Sequence, residues 1–295
     1  MTTVITVPQS LDDKSFEQIF DQLAPLPPDE KILVDARRSR WATPYGLTGL
    51  LTVAQTRLER PQFAVPESDD VASYWSRASF FKYAENLYEI SGRVPRARQT
   101  SELSVLLEVT PIVHTQDIHT VVENIQQRAQ AILQEKLNLQ SRVTMRFTMA
   151  LSEVCQNVIE HAGTGGWVAV QAYKWQHRVG RSVVQIAVCD AGMGFRKSLE
   201  SSQGPRPTDR WGDAMALEET VMRGVSRFRD PGRGQGLAGV KSFCGTWQGK
   251  LSIRSGTARI AIVPTWDQDE VMKENLAPFP GAQVQITIPE RMPDA

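Results

Sequence analysis

Residues 167–175, WVAVQAYKW, and 182–190, SVVQIAVCD, are two runs of apolar, β-branched and aromatic residues separated only by the polar stretch QHRVGR. Strands this close in sequence pair antiparallel across a turn, because a parallel partner needs a crossover of about a dozen residues or more. The hairpin commits the second half of the chain to a sheet with antiparallel pairs. Further strands are expected at LSVLLEVT (103–110), KLSIRS (250–255), ARIAIVP (258–264) and AQVQITIP (282–289). Long helical periodicity runs from Asp117 to Leu139, and a second helix starts near Arg142. Two adjacent helices facing a mixed, largely antiparallel sheet give an α+β fold, a two-layer α/β sandwich and not a doubly wound nucleotide fold. No Walker-type phosphate loop is present.

The first third of the chain reads differently. VITVP near residue 4 and KILVDA at 31–36 are expected as strands, SLDDKSFEQIFDQL as a helix opening on the cap residue Ser10, and Leu47 to Leu58 as a helix. This alternation describes an α/β domain over residues 1–95. The basic, proline-containing stretch SGRVPRARQT (91–100) is the expected linker, and residues 101–295 form the second domain.

Charge and cysteine content narrow the function classes. Lys plus Arg equals Asp plus Glu at 33 each, so no positive field gathers nucleic acid. The three cysteines, Cys155, Cys189 and Cys244, are widely spaced among apolar residues and read as buried reduced thiols. No apolar run reaches the roughly 20 residues of a membrane helix, and the N-terminus lacks signal-peptide character, so a cytoplasmic location is expected.

Chemistry concentrates in three stretches. In TMALSEVCQNVIEH (148–161), Glu153, Asn157 and His161 recur every four residues and share one helix face, while Leu151, Val154, Cys155, Val158 and Ala162 form the opposite, apolar face. The 182–190 strand runs directly into CDAGMGF, which puts the Asp190 carboxylate beside a backbone that Gly192 and Gly194 open to close approach. DPGRGQGLAGVKSF (230–243) then places Gly232, Gly234 and Gly236 before a helical run from Leu237, a pattern that directs backbone N–H groups and a helix N-terminus at phosphates. Between the glycine clusters, SSQGPRPTDRWGD is expected as a loop and AMALEETVMRGVSRFRD as a helix with a basic end, together a lid. Arg223, Arg227, Arg229 and Arg233 are its candidate γ-phosphate ligands, Arg233 foremost because it lies inside the glycine cluster.

In this order the three motifs resemble those of the ATPase superfamily shared by gyrase, histidine kinases and mismatch-repair ATPases (GHKL), over residues 101 to 295. ExxxNxxxH is similar to that superfamily's N box, DAGMGF to its first glycine box and GRGQGL to its second. The resemblance implies bound ATP and Mg2+. Asn157 would be the metal ligand, Glu153 the general base, and Asp190 the acceptor for the adenine amino group. Gly192 and Gly194 would border the nucleotide, with Gly234, Gly236 and Leu237 closing over its phosphates. The compact N box SEVCQNVIEHA is most similar to that of anti-sigma-factor serine kinases. The histidine-kinase branch is disfavoured because His114 and His119 are each followed by threonine. The last glycine box, commonly Gly-Thr, is Gly281-Ala282 here unless Gly256-Thr257 serves.

A second resemblance lies upstream. KILVDARRSRWATPYGLTGLLTVAQ is similar to the central segment of STAS domains, the fold of anti-sigma-factor antagonists, through Asp35, Gly46, Leu47 and the following helix. Thr43, Pro44 and Tyr45 stand where the family has Asp-Ser-Ser, so Tyr45 replaces the phosphorylated serine. The resemblances together imply a regulator with an N-terminal STAS-like docking domain. Its ATPase domain would phosphorylate serine or threonine on a separate partner, a STAS-type antagonist or sigma-like regulator, with homodimerisation compatible. The alternative is an ATP-responsive interaction switch with little or no turnover.

Overall fold

The computed structural model describes residues 2–96, 105–121, 123–124, 141–175, 180–203, 211–225 and 236–290. The N-terminal unit carries strands β1 (Thr3–Thr6), β3 (Ile32–Asp35), β5 (Gln62–Ala64) and β6 (Glu89–Ser91) in one parallel sheet of that order. Its helices are α1 (Glu17–Leu23), α2 (Pro44–Gln55), α3 (Asp69–Arg77) and α4 (Phe80–Leu87). The helix expected from Ser10 starts later. Ser10–Leu11 is instead a short strand, β2, paired with β4 (Trp41–Ala42), and Asp12 Oδ1 accepts the Lys14 and Ser15 N–H groups in a turn. That side-chain turn competes with helix until Glu17. α2 starts earlier than its apolar periodicity indicates, because the Thr43 hydroxyl accepts the Gly46 N–H at 3.2 Å and Pro44 supplies a preset first turn.

The second unit is a seven-stranded sheet ordered β12 (Met272–Lys273), β11 (Ala258–Ile262), β10 (Lys250–Gly256), β13 (Phe279–Pro289), β9 (Arg181–Asp190), β8 (Gly166–Trp175), β7 (Val105–Ile112). Every described pairing in it is antiparallel, so the mixed sheet expected from sequence is corrected. Helix α5 is described at 115–121 and 123–124; the rest of the expected Asp117–Leu139 helix lies outside the described residues. α6 (Ser141–Asn157), α8 (Asp213–Arg223) and α9 (Gly236–Thr246) cover the inner face, and α7 (Gly194–Gln203) occupies part of the segment after the first glycine box. Val184, Ile186 and Val188 on β9, with Val284, Ile286 and Ile288 on β13, meet Leu151, Val154, Cys155 and Val158 of α6 in one apolar core.

The outer face of this sheet is covered by the N-terminal unit. α2 is buried from Pro44 to Ala54, against β8 and β9 on one side and its own unit on the other, where the Tyr88 hydroxyl donates to the Leu50 carbonyl. Trp167, Ala169, Ala187 and Cys189 of the seven-stranded sheet therefore belong to the same apolar cluster as Phe16, Phe20 and Leu50. Towards β10 and β11 the seam becomes polar. Arg254, 1% exposed, donates to Glu17 at 2.9 Å and stacks 4.1 Å from the Phe20 ring centroid. Lys250 lies between Asp267 (3.1 Å) and Asp269 (2.6 Å), and Arg259 makes a two-pronged bond to Asp269. All three cysteines are buried and free, as their sequence surroundings indicate.

Candidate nucleotide site

β9 sits between β13 and β8 and delivers Asp190 at its end, opposite Gly166. Asp190 is 5% exposed. Its Oδ1 accepts the Gly192 N–H at 2.8 Å and the Ala282 N–H at 3.3 Å. Among the described residues no donor reaches Oδ2. Burial pushes the carboxyl up to about 6, against the pull of those two N–H groups. Two glycines make the arrangement sterically possible. A Cβ on Gly192 would stand 2.2 Å from the Ala162 carbonyl oxygen, and one on Gly281, whose φ is +78°, would stand 2.1 Å from the Asp190 carbonyl oxygen. Gly194 opens α7, where the Phe195 N–H donates to Ser255 Oγ at 3.1 Å; that hydroxyl donates to the Gly281 carbonyl at 2.8 Å.

α6 places its apolar positions in the core, with Leu151 and Cys155 at 0% exposure. Glu153 is exposed and Asn157 half-buried on the other side, one turn or about 6 Å of rise apart. The helix does not continue unchanged to His161. Val158–Ala162 is a π-helical turn, ended by Gly163 at φ +72°. The wider turn takes position 161 off the α-helical i+4 row, so the three-residue alignment expected from spacing holds only for Glu153 and Asn157. The same turn ties the helix to the glycine box, because the Met193 N–H donates to the Ala162 carbonyl at 3.1 Å. The His161 side chain lies outside the described residues.

The remaining candidates separate. Gly232, Arg233 and Gly234, with Arg227 and Arg229, lie outside the described residues. Gly236 is the first residue of α9, and Leu237 is buried with Val240, Phe243 and Cys244 in the inner core. The stretch expected to begin the lid as loop is partly helix, since α7 extends to Gln203. α8 packs on the fold through Ala216, Leu217 and Val221, and the basic end expected of the lid helix beyond Val225 lies outside the described residues. Arg223 is exposed and bonds Glu219 at 2.6 Å. Of the two candidate last glycine boxes, Gly281-Ala282 lies against Asp190. Gly256-Thr257 anchors α8 instead, its Thr257 N–H and hydroxyl both donating to Asp213 Oδ2 at 2.9 Å. Sequence reasoning missed the Ala282 N–H and the Ser255 hydroxyl; only the Gly-Ala pair before a predicted strand hinted at the first.

Residues 116–239 match the family described as a histidine kinase-like ATPase domain. The match spans Glu153, Asn157, Asp190, Gly192 and Gly194 and stops within α9. No curated protein matches the chain. The match supports a GHKL-type ATPase domain over these residues, a type of domain that binds ATP. Among the described residues, no helix is long and apolar enough to cross a membrane.

Proposed function

We propose that the chain binds magnesium-ATP between α6 and the Asp190 loop and transfers the γ-phosphoryl group to a serine or threonine hydroxyl of a separate regulatory protein, in the manner of anti-sigma-factor kinases. One observation carries this reading: the π turn after Asn157 is hydrogen-bonded to the Gly192–Met193 loop, so the uncommitted side chains of α6 and the Asp190 carboxylate belong to one rigid junction. Among the described residues neither Glu153 nor Asn157 has a side-chain partner, which suits groups awaiting a ligand.

The donor set fits the nucleotide and its metal. Asp190 Oδ2 would accept the adenine amino group, held in orientation by the two N–H bonds to Oδ1. The Asn157 amide oxygen is a hard neutral ligand suited to Mg2+, whose remaining positions phosphate and water oxygens fill. Mg2+ when bound would neutralise charge on the transferring group. Glu153 would accept the proton of the attacking hydroxyl as its oxygen bonds to phosphorus and the bond to the departing ADP oxygen breaks. Gly236 and the preceding stretch with Arg233 and Gly234 would meet the phosphates.

Residues 1–95 act as a STAS-like regulatory and docking domain in this proposal, and residues 101–295 as the ATPase domain of a cytoplasmic regulator. The phospho-switch positions are unsuited to modification in cis, since Thr43, Pro44 and Tyr45 are all buried and burial raises the Tyr45 hydroxyl pKa well above its ordinary value. A second reading, an ATP-responsive switch without turnover, is favoured by Ala282, which offers Asp190 only its backbone N–H.

The test is labelled ATP with the full-length chain and purified STAS-type and sigma-like proteins encoded beside it. Kinase activity predicts label on a partner, and Glu153→Gln should keep ATP affinity within a few-fold while slowing transfer by roughly two to four orders of magnitude. Free phosphate alone would identify an ATPase; binding with neither product would select the switch. Unchanged transfer in a folded Glu153→Gln protein removes Glu153 as the base.

A further inference from the structure

A cavity of about 620 Å3 lies between the outer face of the seven-stranded sheet and the β2–β4 edge of the N-terminal unit, away from the nucleotide site. We infer that it binds a small molecule bearing a primary ammonium group. Among its lining residues are Asp13, Lys14, Trp41, Trp175, Gln185 and Gln285.

The glutamines of this face set the requirement. Gln171 stands opposite Gln185 in the β8–β9 register, and its amide oxygen accepts the hydroxyls of both Tyr74 and Tyr173. Gln185 and Gln285 are 2% and 5% exposed, and the amide oxygen of each has no donor. The nitrogen of Gln185 is already directed to Thr287 Oγ1 at 3.4 Å. Asp13 Oδ2 is a third buried acceptor without a partner. A buried acceptor without a donor is costly, and three around one space are better explained by a group that donates to all of them.

Two of the three lysines lining the cavity are drawn to other carboxylates, whereas Lys174 is exposed with no carboxylate partner among the described residues, and Arg259, which bonds Asp269, leaves its buried Nε–H without an acceptor. Lys250 bonds Asp267 and Asp269, and Lys14 lies 3.9 Å from the same two carboxylates. An ammonium supplies three N–H donors and no acceptor, matching Asp13 Oδ2 and the two amide oxygens in number and kind. The carboxylate fixes the class, because it accepts whichever way the amides are turned. Burial, with the Asp12 charge, raises the Asp13 pKa against Lys250, Arg259 and a hydrogen bond from the Gln285 amide to the carboxyl, and a bound cation at the free Oδ2 would draw it back down. Trp41 and Trp175 offer aromatic surface for the cation or its apolar stem. The volume suits a small organic molecule.

The experiment is calorimetric titration of the full-length protein with phenethylammonium and, as a control of similar size and opposite charge, 3-phenylpropanoate. Phenethylammonium should bind and the carboxylate should not. Asp13→Asn and Gln285→Leu should each weaken amine binding about tenfold or more, while magnesium-ATP affinity, measured on the same preparations, stays as in the parent. If Asp13→Asn does not fold, Gln285→Leu decides alone. No amine binding, equal binding of the carboxylate, or amine affinity unchanged by the folded variants would each overturn the site and leave ordered water as the cavity's content.

Discussion

On β10, Ser252 and Ile253 are adjacent in sequence and both nearly inaccessible, at 4% and 0% exposure, yet they point into opposite surroundings. Ile253 enters the core beneath α6, α8 and α9. Ser252 faces the N-terminal unit in a row that includes Lys250, Arg254, Gln283, Gln285 and Thr287. The inner face is held by apolar packing. The β10–β13 end of the outer face is held largely by charge pairs and hydrogen bonds, with apolar contact on the α2 side around Ala187 and Cys189 and at Phe279, whose ring centroid lies 4.4 Å from that of Phe20. Burial therefore says little by itself about what a residue contributes. An apolar side chain there gains roughly its transfer energy, whereas a charge must be matched merely to be tolerated.

The largest expected effect is at the charge cluster. The Asp269 side chain is 3% exposed and serves both Lys250 and Arg259, so Asp269→Asn leaves two buried cations undercompensated. A loss of about 3–5 kcal/mol in chemical denaturation is expected. The parent should share this weakness in acid. Its hydrogen bonds and charge pairs with Arg259 and Lys250 outweigh burial and hold the Asp269 pKa well below the usual carboxylate range. That contribution is present above the usual range and is lost as pH falls through the depressed pKa. A loss under about 1 kcal/mol would mean that the seam is wet and screened, and the contrast between the two faces would fail.

Next is the neighbouring pair itself. Ile253→Ala should cost about 2–5 kcal/mol, from lost transfer energy and a residual cavity. Ser252→Ala, a change of one hydroxyl on a face already rich in polar groups, should stay within about 1 kcal/mol. Equal losses in parallel urea titrations would show that both faces are packed to the same standard.

Much of the sheet was legible in the sequence because alternation is a local signal. In AQVQITIP, Val284, Ile286 and Ile288 point inward, and α6 has its apolar stripe where periodicity puts it. The cover on the other face was not legible. Gln283, Gln285 and Thr287 have the pattern of strands facing water, and nothing local tells a wet face from one sealed by a distant polar surface. The Ser10 misreading is of the same kind, since an Asx turn at Asp12 and pairing with Trp41 override a plausible cap. At the candidate site, Asp190 and its glycines could be found by motif. The π turn and the Ala282 N–H could not, because one is a departure from helical period and the other a backbone group brought in from β13, some 90 residues away.

Asp190 tests the boundary between the two faces, and its effect should be opposite in sign. A rise of its pKa from 3.8 to about 6 corresponds to about 3 kcal/mol of differential interaction. Because the folded-state value is raised, the associated stability is full below the unfolded value and is lost as pH rises through about 6. Asp190→Asn keeps an oxygen for the Gly192 and Ala282 N–H groups without carrying charge. It should be more stable than the parent at pH 7.5, by up to about 3 kcal/mol, and should show no advantage near pH 4. ATP affinity should move the other way, reduced in the variant and falling in the parent by about tenfold per unit below pH 6. Thermal melts and calorimetry across pH read both. A variant less stable than the parent at pH 7.5 would mean that the carboxylate's hydrogen bonds outweigh its burial.

The smallest effect is expected where the N-terminal unit grips the strand that ends at Asp190. Thr48 on α2 is fully buried, its hydroxyl donating to the Pro44 carbonyl at 2.8 Å and lying 3.3 Å from Cys189 Sγ. Burial pushes the Cys189 thiol up to about 12, so it stays protonated at neutral pH and is a weak hydrogen-bonding partner. Thr48→Val preserves the branched shape and removes both contacts. The Pro44 carbonyl is a first-turn helix acceptor that a backbone N–H can still serve, so little is left unsatisfied. The loss should be below about 1 kcal/mol, equivalent to about 2–4 °C or less in melting temperature for a chain of this size. ATP affinity should change by less than about twofold, because the variant keeps the shape that seats β9 against α2. A much larger loss of ATP affinity with an unchanged melting temperature would show that the Thr48–Cys189 contact, and not packing, sets the position of Asp190. The N-terminal unit would then control the nucleotide site through one hydrogen bond.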